Sequence, residues 1–195
     1  VALRLEHAEE LAKIARERGL ICAEIKQNRY NPAMRFLRDA MDEGRFGTLV
    51  SVGVRVHWSR DQSYYDDPWH GRWRMDGGVL SQQAIHHLDA MRWLGGPIEA
   101  VCAQGRAVIN KLEPQAGDED VQARFSQEVP TSYGLGHGPY IREVIDCWRA
   151  GKTDVPVSVD EGSKALAFLH ALYRSMEVGG WVALKDVPKS ERLGL

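Results

Sequence analysis

The feature that most constrains the fold of this 195-residue chain is a glycine pair followed by a helix-like pattern. Gly77 and Gly78 open the stretch, and the run Gly95-Gly96-Pro97 closes it. Because glycine pairs and proline mark the ends of helices, the spacing predicts one helix that continues as far as Leu94. The apolar stripe of this helix consists of Leu80, Ala84, Leu88 and Met91.

The opposite side of the predicted helix carries an unusual set of polar side chains. At about 100° per residue, Gln82, His86 and Asp89 share one face. A solvated face normally carries lysine and glutamate, so an amide, an imidazole and a carboxylate among apolar neighbours predict a face that lines a cleft. His86 is the best candidate for proton transfer, because imidazole titrates near neutral pH, and Gln82 can hydrogen-bond it or a substrate. The pattern by itself still favours a structural histidine.

Other classes of site find little support in the sequence. Neighbouring residues on a helix point about 100° apart, so His86 and His87 cannot readily share one metal ion, and no metal site is expected. His87 lies toward the apolar stripe and is expected to pack in the core. The chain has no Gly-x-Ser-x-Gly nucleophile elbow and no cysteine in a nucleophile motif.

Composition limits the classes of partner and the cell compartment that we expect for this chain. A formal net charge of -2 gives no reason to expect nucleic acid or an acidic membrane surface as a partner. No apolar run approaches the roughly 20 residues that cross a bilayer. The cysteines are odd in number and far apart, which indicates a reducing compartment. We therefore expect a cytoplasmic protein.

The first thirty residues have the pattern of an α/β unit. Residues 5–15 form a helical stripe that ends at Gly19, and residues 20–25 are typical of a short buried strand. Ligands of open α/β sheets bind beyond the carboxyl ends of the strands. Asn28 and Arg29 follow this strand, so they lie where ligand contacts are expected.

The rest of the chain predicts an α+β region with a largely antiparallel, open-faced sheet and flanking helices. Residues 49–58 alternate valine or tryptophan with polar residues, which is typical of a long half-buried strand. Residues 59–73 form a loop dense in aromatic side chains; such a loop either stacks on a ligand or is pinned by its own rings. Residues 98–109 and 181–184 are further strand candidates, and residues 121–138 have little pattern.

Several motifs in this order resemble the Gfo/Idh/MocA family of NAD(P)-dependent oxidoreductases. The likeness is greatest to the branch that acts on nucleotide-linked amino-sugar uronic acids, the UDP-N-acetylglucosaminuronate 3-dehydrogenase type. The motifs are Lys26-Gln27-Asn28-Arg29-Tyr30-Asn31-Pro32, Asp61-Gln62-Ser63-Tyr64-Tyr65-Asp66, Pro68-Trp69-His70-Gly71-Arg72-Trp73, Asp76-Gly77-Gly78 through His86-His87-Leu88-Asp89, and His137-Gly138-Pro139-Tyr140.

The resemblance implies a role for each candidate residue. His86 would exchange the proton of the oxidised hydroxyl, and Gln82 stands where the family has an aspartate or asparagine, so it can hydrogen-bond the sugar but cannot act as a carboxylate. NAD or NADP would be the cofactor and a sugar or sugar nucleotide the substrate. The expected cofactor contacts are Asn28, Arg29, Trp69 and His70; the expected substrate contacts are Tyr65, Arg72, Trp73 and Asp89. His70 replaces an arginine of the family pattern.

The resemblance also implies the domain organisation. Residues 1–30 would be the end of a dinucleotide-binding Rossmann domain, and residues 31–195 a substrate-binding domain that forms homo-oligomers through its open sheet face. The family's glycine-rich loop and its Glu-Lys-Pro triplet are absent, and residues 121–136 are compressed relative to the family. We therefore expect this chain by itself to be inactive. The alternatives are a truncated, non-catalytic binding or assembly module, or a family member with a different reaction, such as glycoside cleavage or sugar isomerisation.

Overall fold

The computed structural model of the chain describes residues 2–58, 60, 62–105 and 134–194. Helices dominate this part of the chain. They are α1 (Leu5–Arg18), α2 (Pro32–Asp42), α3 (Gln62–Tyr65), α4 (Val79–Gln82), α5 (Ile85–Gly95), α6 (His137–Arg149) and α7 (Val159–Val178), with 3-10 turns at Gln27–Tyr30 and Leu184–Asp186. Strands β1 (Ala100–Val101) and β2 (Val182–Ala183) form a two-stranded antiparallel sheet.

The long helix α7 is the centre of the fold. Ser158 caps its start, since the Ser158 hydroxyl accepts a hydrogen bond from the Glu161 amide at 3.2 Å. Gly179 ends it in a left-handed conformation, with φ at 69°. The apolar side chains of α1 pack along α7 and form the largest core cluster, made of Leu5, Ala8, Ala12, Val159, Leu166, Leu169, Tyr173 and Leu193. Burial of these side chains is the main favourable term for this pairing.

Two smaller clusters hold other elements of the fold, one of them on α7. Val101 of β1 packs on Phe168 and Ala171 of α7. Tyr30 and Tyr140 meet edge to face, with their ring centroids 5.1 Å apart, and so join the 3-10 turn to α6. Helix α5, which carries His86 and Asp89, packs against both α7 and the 3-10 turn at Gln27–Tyr30.

The predicted strand at residues 20–25 pairs at a single point. Ala23 forms an isolated antiparallel bridge with Ser158, and the Glu24 amide donates to the Val157 carbonyl at 3.0 Å. Leu20 is 56% exposed and Ile25 50% exposed, so the segment is extended but not the buried strand that was expected.

The predicted strand at residues 49–58 is not formed. The structure assigns no strand there, and the side chain of Val50 is 92% exposed, that of Val52 42% and that of Val54 46%. A strand exists only when a neighbouring strand accepts and donates its ladder hydrogen bonds, and the sheet in the described part of the chain consists of β1 and β2. The described residues therefore hold a small antiparallel sheet among helices, which agrees with the predicted α+β class; the open face of the sheet stays a prediction.

Two further expectations fall partly outside the described residues. Of the strand predicted at 98–109, the structure describes residues 98–105, in which only Ala100–Val101 is β-strand. Of the patternless stretch 121–138, only residues 134–138 are described. Within the described ranges, no helix is both long and apolar enough to cross a membrane.

Candidate functional site

The helix after the glycine pair is broken into two parts, which corrects the single helix predicted from the sequence. Helix α4 stops at Gln82, and α5 starts at Ile85. Between them the Ala84 amide donates to the Val79 carbonyl at 2.9 Å, an i to i−5 hydrogen bond that widens the turn. Gln83 is buried at this break, and its side-chain amide donates to the hydroxyl of Tyr64 at 3.1 Å. This contact ties the aromatic loop to the helix.

His86 lies in the first turn of α5 and is partly buried. Burial lowers its pKa to about 4, and the positive charge of Lys26 adds to this effect, as do His87 and His137, while Asp89 opposes it. The His86 imidazole is therefore neutral at neutral pH. Its Nδ1 atom is buried and has no hydrogen-bond partner among the described residues. A neutral imidazole with a free ring nitrogen is able to accept a proton.

Lys26, one of the polar residues that directly follow the strand-like segment, makes the largest charge contribution to the lowered pKa of His86. Its side chain is 3% exposed, and its Nζ atom lies 2.5 Å from Oε1 of Glu24. Glu24 reaches this position across Gly162 of α7, where a Cβ atom would overlap the Glu24 carboxylate. The available sequence signal is the position of Lys26, directly after a strand-like segment, where polar side chains approach a ligand.

Arg29 and Asp89 form a buried, bidentate ion pair. Nε of Arg29 lies 2.7 Å from Oδ2 of Asp89, and Nη2 lies 2.6 Å from Oδ1. Asp89 is 0% exposed and Arg29 5%. Arg29 also contacts Oε1 of Glu161 at 3.2 Å. The predictions placed Arg29 against the cofactor and Asp89 against the substrate; in the structure the two side chains bind each other and join the 3-10 turn to α5.

The aromatic loop is held by contacts among its own side chains. The ring of His70 lies between Tyr64, at a centroid distance of 3.9 Å, and Trp69, at 3.6 Å. Asp67 accepts hydrogen bonds from the Trp69 and His70 amides at 3.0 and 2.8 Å, and its Oδ2 lies 2.5 Å from Nδ1 of His70. Tyr65 packs edge to face on Tyr64 at 5.1 Å. These contacts favour the self-pinned loop among the two interpretations left open by the sequence.

Accessible surface identifies which predicted contacts remain open to a ligand. Trp69 is 39% exposed and Trp73 38%, and Arg72 is also exposed. Asn28, Tyr65 and Gln82 are half-buried. The structure therefore gathers Arg29, Asp89, Lys26 and His86 in one region. The other predicted contacts lie in the aromatic loop; they are Tyr65, Trp69, His70, Arg72 and Trp73. Among the described residues, no three His, Cys, Asp or Glu side chains come together as metal ligands.

Comparison with known proteins assigns the family. Residues 34–129 match the model of the GFO/IDH/MocA C-terminal domain. The WlbA dehydrogenase of Bordetella pertussis, solved with NADH and UDP-GlcNAcA, superposes with a TM-score of 0.76 at 26% identity, over 93% of this chain and 69% of that one. Residues 34–129 of this chain thus belong to the Gfo/Idh/MocA C-terminal domain family. The family predicted from the sequence motifs is thus confirmed.

Other members of the Gfo/Idh/MocA family show the same relationship. WlbA from Chromobacterium violaceum, also solved with NADH and UDP-GlcNAcA, superposes with a TM-score of 0.77 at 28% identity. The superposition covers 93% of this chain and 68% of the WlbA chain. The 1,5-anhydro-D-fructose reductase of Ensifer adhaerens is 31% identical over 118 residues, which is 57% of this chain. That match spans 34% of the reductase, so this chain corresponds to about a third of that relative.

Proposed function

We propose that this chain is the substrate-binding part of an NAD(P)-dependent dehydrogenase for a sugar or sugar nucleotide, with His86 as the proton acceptor and donor. The observation that carries the proposal is the His86 imidazole, which burial and Lys26 keep neutral and whose Nδ1 has no hydrogen-bond partner in the described part of the chain. The relatives that this chain matches include a reductase and a dehydrogenase, which agrees with such a role.

The proposed oxidation requires one step from this chain's own residues, which is acceptance of the hydroxyl proton. Oxidation of an alcohol to a ketone removes a hydride from carbon and a proton from oxygen. NAD(P), when bound, supplies the hydride acceptor. His86 is the proposed acceptor of the hydroxyl proton, because its imidazole has a pKa of about 4 and is therefore unprotonated at neutral pH. Gln82, one turn earlier, orients the hydroxyl by hydrogen bonding, since its amide cannot take up the proton.

The residues expected to hold the cofactor fit it only in part. Arg29 is committed to Asp89, and His70 to Asp67 and two aromatic rings. Asn28 and Trp69 keep accessible surface and are the proposed contacts from this chain. We therefore expect the cofactor's affinity to depend chiefly on a Rossmann half, of which residues 1–30 would be the end.

For the substrate we propose a nucleotide-linked uronic acid, because both WlbA structures that this chain resembles contain UDP-GlcNAcA. Arg72 is exposed and is the proposed partner of an anionic group, since guanidinium binds phosphate and carboxylate in a bidentate manner. Trp73 and Tyr65 offer ring faces for the sugar. Residues 31–195 would form the substrate and oligomerisation domain.

The first test is a titration of the chain with UDP-GlcNAcA, followed through the ring signals of His86 by NMR. Binding at the proposed site should shift the His86 signals, and the variant His86→Asn should bind with similar affinity, because the proposed role is proton transfer. Absence of any shift at saturating ligand would refute the site.

The second test concerns catalysis. The nucleotide-binding half of Bordetella pertussis WlbA, fused ahead of this chain, should restore NAD reduction with UDP-GlcNAcA, and His86→Asn in the fusion should lower kcat by about 10²-fold or more. Full activity in the His86→Asn fusion would exclude His86 as the acid/base. A fusion that binds the sugar nucleotide and NAD without turnover would favour the non-catalytic binding module.

A further inference from the structure

We propose that Tyr173 of α7 is a positioning residue for the substrate site, and that residues 189–194, here called the clasp, hold the turn that Tyr173 fixes. The turn is the segment from Trp73 to Gly78, which leads into α4 and α5 and so into Gln82 and His86. The inference rests on the proposed function, because it assigns further residues to the same site.

The Tyr173 hydroxyl connects the two sides of this turn. Tyr173 is 4% exposed, and its hydroxyl donates to the Gly77 carbonyl at 2.5 Å. The Ser81 backbone, in α4, hydrogen-bonds to the same hydroxyl. Burial raises the pKa of Tyr173 well above its ordinary value of 10, so the hydroxyl keeps its proton and donates at every physiological pH. One buried hydroxyl therefore fixes the distance between the glycine pair and the helix that it starts.

The ring of Tyr173 also supports Trp73, one of the proposed substrate contacts. The two rings meet edge to face, with centroids 4.9 Å apart and an interplanar angle of 74°. The clasp contacts Trp73 as well: the Arg192 guanidinium lies 5.8 Å from the Trp73 ring centroid, and the Gly194 amide donates to the Trp73 carbonyl at 2.9 Å. Trp73 keeps 38% of its surface exposed, so it is oriented without being covered.

Gly77 shows how closely the clasp approaches the turn. Its φ is +75°, a left-handed conformation that favours glycine, and a Cβ atom at this position would overlap the side chain of Leu193. Leu193 is 1% exposed and belongs to the main core cluster. The clasp thus fills the space that a side chain at Gly77 would need.

The clasp is anchored to the same helix that carries Tyr173. The Ser190 hydroxyl donates to Oε1 of Glu177 at 2.6 Å, and the Ser190 amide donates to Nδ1 of His170 at 3.1 Å. The hydroxyl also accepts from the Leu193 amide at 3.1 Å, which folds the clasp back on itself. Helix α7, the clasp and the turn therefore form a closed set of contacts, in which Tyr173 is the α7 side chain that hydrogen-bonds to the turn.

The variant Tyr173→Phe tests this role, since it removes one oxygen atom and keeps the ring. Tyr140→Phe is the matched control: Tyr140 is 2% exposed and also donates its hydroxyl to a backbone carbonyl, that of Glu24, at 2.7 Å. Both variants lose a buried hydrogen bond and should lower the melting temperature to a similar extent.

If Tyr173 had only a structural role, Tyr173→Phe would leave the local NMR signals of the turn and the affinity for the ligand unchanged. In the full 195-residue chain, Tyr173→Phe should shift the NMR amide signals of Gly77 and Gly78 and the indole signal of Trp73, and weaken UDP-GlcNAcA binding by roughly five- to tenfold, the size expected of one hydrogen bond. Tyr140→Phe should leave these signals and the affinity unchanged. Leu193→Ala, which opens the clasp without touching the hydroxyl, should shift the same three signals.

Each outcome decides the inference. Unshifted Gly77, Gly78 and Trp73 signals in Tyr173→Phe would overturn it, as would equal shifts in Tyr140→Phe. If the wild-type chain does not bind UDP-GlcNAcA, the proposed function fails, and the three NMR signals still determine whether Tyr173 positions the turn. Should Tyr173→Phe not fold, unshifted signals in Leu193→Ala would overturn the role of the clasp.

Discussion

Loss of the Asp89 carboxylate should destabilise this protein far more than loss of an exposed carboxylate that pairs with arginine in the same way. The change Asp89→Asn keeps the shape of the side chain and removes its charge. Arg29, 5% exposed, would then face an amide with both its Nε and Nη2 groups. The guanidinium cannot lose its proton to escape this position, because arginine stays protonated in proteins even when it is buried.

The magnitude follows from the geometry of the pair. Breaking a buried ion pair by removing one partner costs about 3–5 kcal/mol, because an uncompensated charge is left inside the protein. Arg29 retains a second contact, to Glu161 at 3.2 Å, so we expect the lower end, about 3 kcal/mol. For a protein of this size the melting temperature should fall by roughly 6–12 °C.

Thermal and urea unfolding, followed by circular dichroism at pH 7, measure this loss. The control is Asp160→Asn, because Asp160 also pairs with an arginine, Arg16, at 2.6 Å, but with side chains that are 60% and 61% exposed. An exposed pair of this kind contributes about 1 kcal/mol or less. The double variant Arg29→Met/Asp89→Leu should recover most of the stability, since it leaves no buried charge at this site. Equal losses in Asp89→Asn and Asp160→Asn would refute the structural role and return Arg29 and Asp89 to the ligand contacts that the sequence predicted.

Three further predictions concern protonation and cofactor binding. The His86 ring should titrate near pH 4 by NMR; because this folded-state pKa lies below the ordinary 6.5, the unfolded chain binds the proton more tightly, so the stability from His86 is complete above pH 6.5 and is lost as the pH falls toward 4. A folded-state midpoint above 6 would contradict the burial argument. Lys26→Met should raise the His86 midpoint, because Lys26 is the second cause of its depression, whereas Lys164→Met, which alters a lysine that is 58% exposed, should not move it. Calorimetry of the chain with NAD should show no micromolar binding, since two of the four expected contact residues are committed elsewhere; a micromolar Kd would overturn this assignment.

Periodicity selected the candidate residues of this segment but could not identify what lies against them. The wheel placed Gln82, His86 and Asp89 on one face; in the structure the break at residues 83–84 separates Gln82 from His86 and Asp89, which share α5. The partner of Asp89 is Arg29, which is 60 positions earlier in the chain, and no local pattern reveals a contact over that separation. A buried carboxylate that lines a cleft and one that is neutralised by an arginine have the same helical spacing.

The strand predicted at residues 49–58 shows a second limit of local patterns. Alternation of valine with polar residues is a property of one segment, whereas a strand is a property of two. The same distinction explains residues 20–25, whose apolar pattern indicates burial but whose single bridge leaves Leu20 and Ile25 half exposed. In both segments the sequence identifies an extended, apolar stretch, and the presence of a neighbour decides whether that stretch becomes a strand.

The properties of His86 arise from elements that are distant from it in sequence. Its neutrality depends on burial and on Lys26, whose ammonium is held by Glu24. Glu24 in turn occupies space that only a glycine at position 162 of α7 leaves free. A helix that carries a histidine among apolar neighbours therefore becomes a candidate proton acceptor only because α7 and the end of an extended segment converge on it. It follows that variants at Gly162 and Lys26 should alter the pKa of His86 while leaving α5 folded, because that pKa depends on these distant residues and the helix does not.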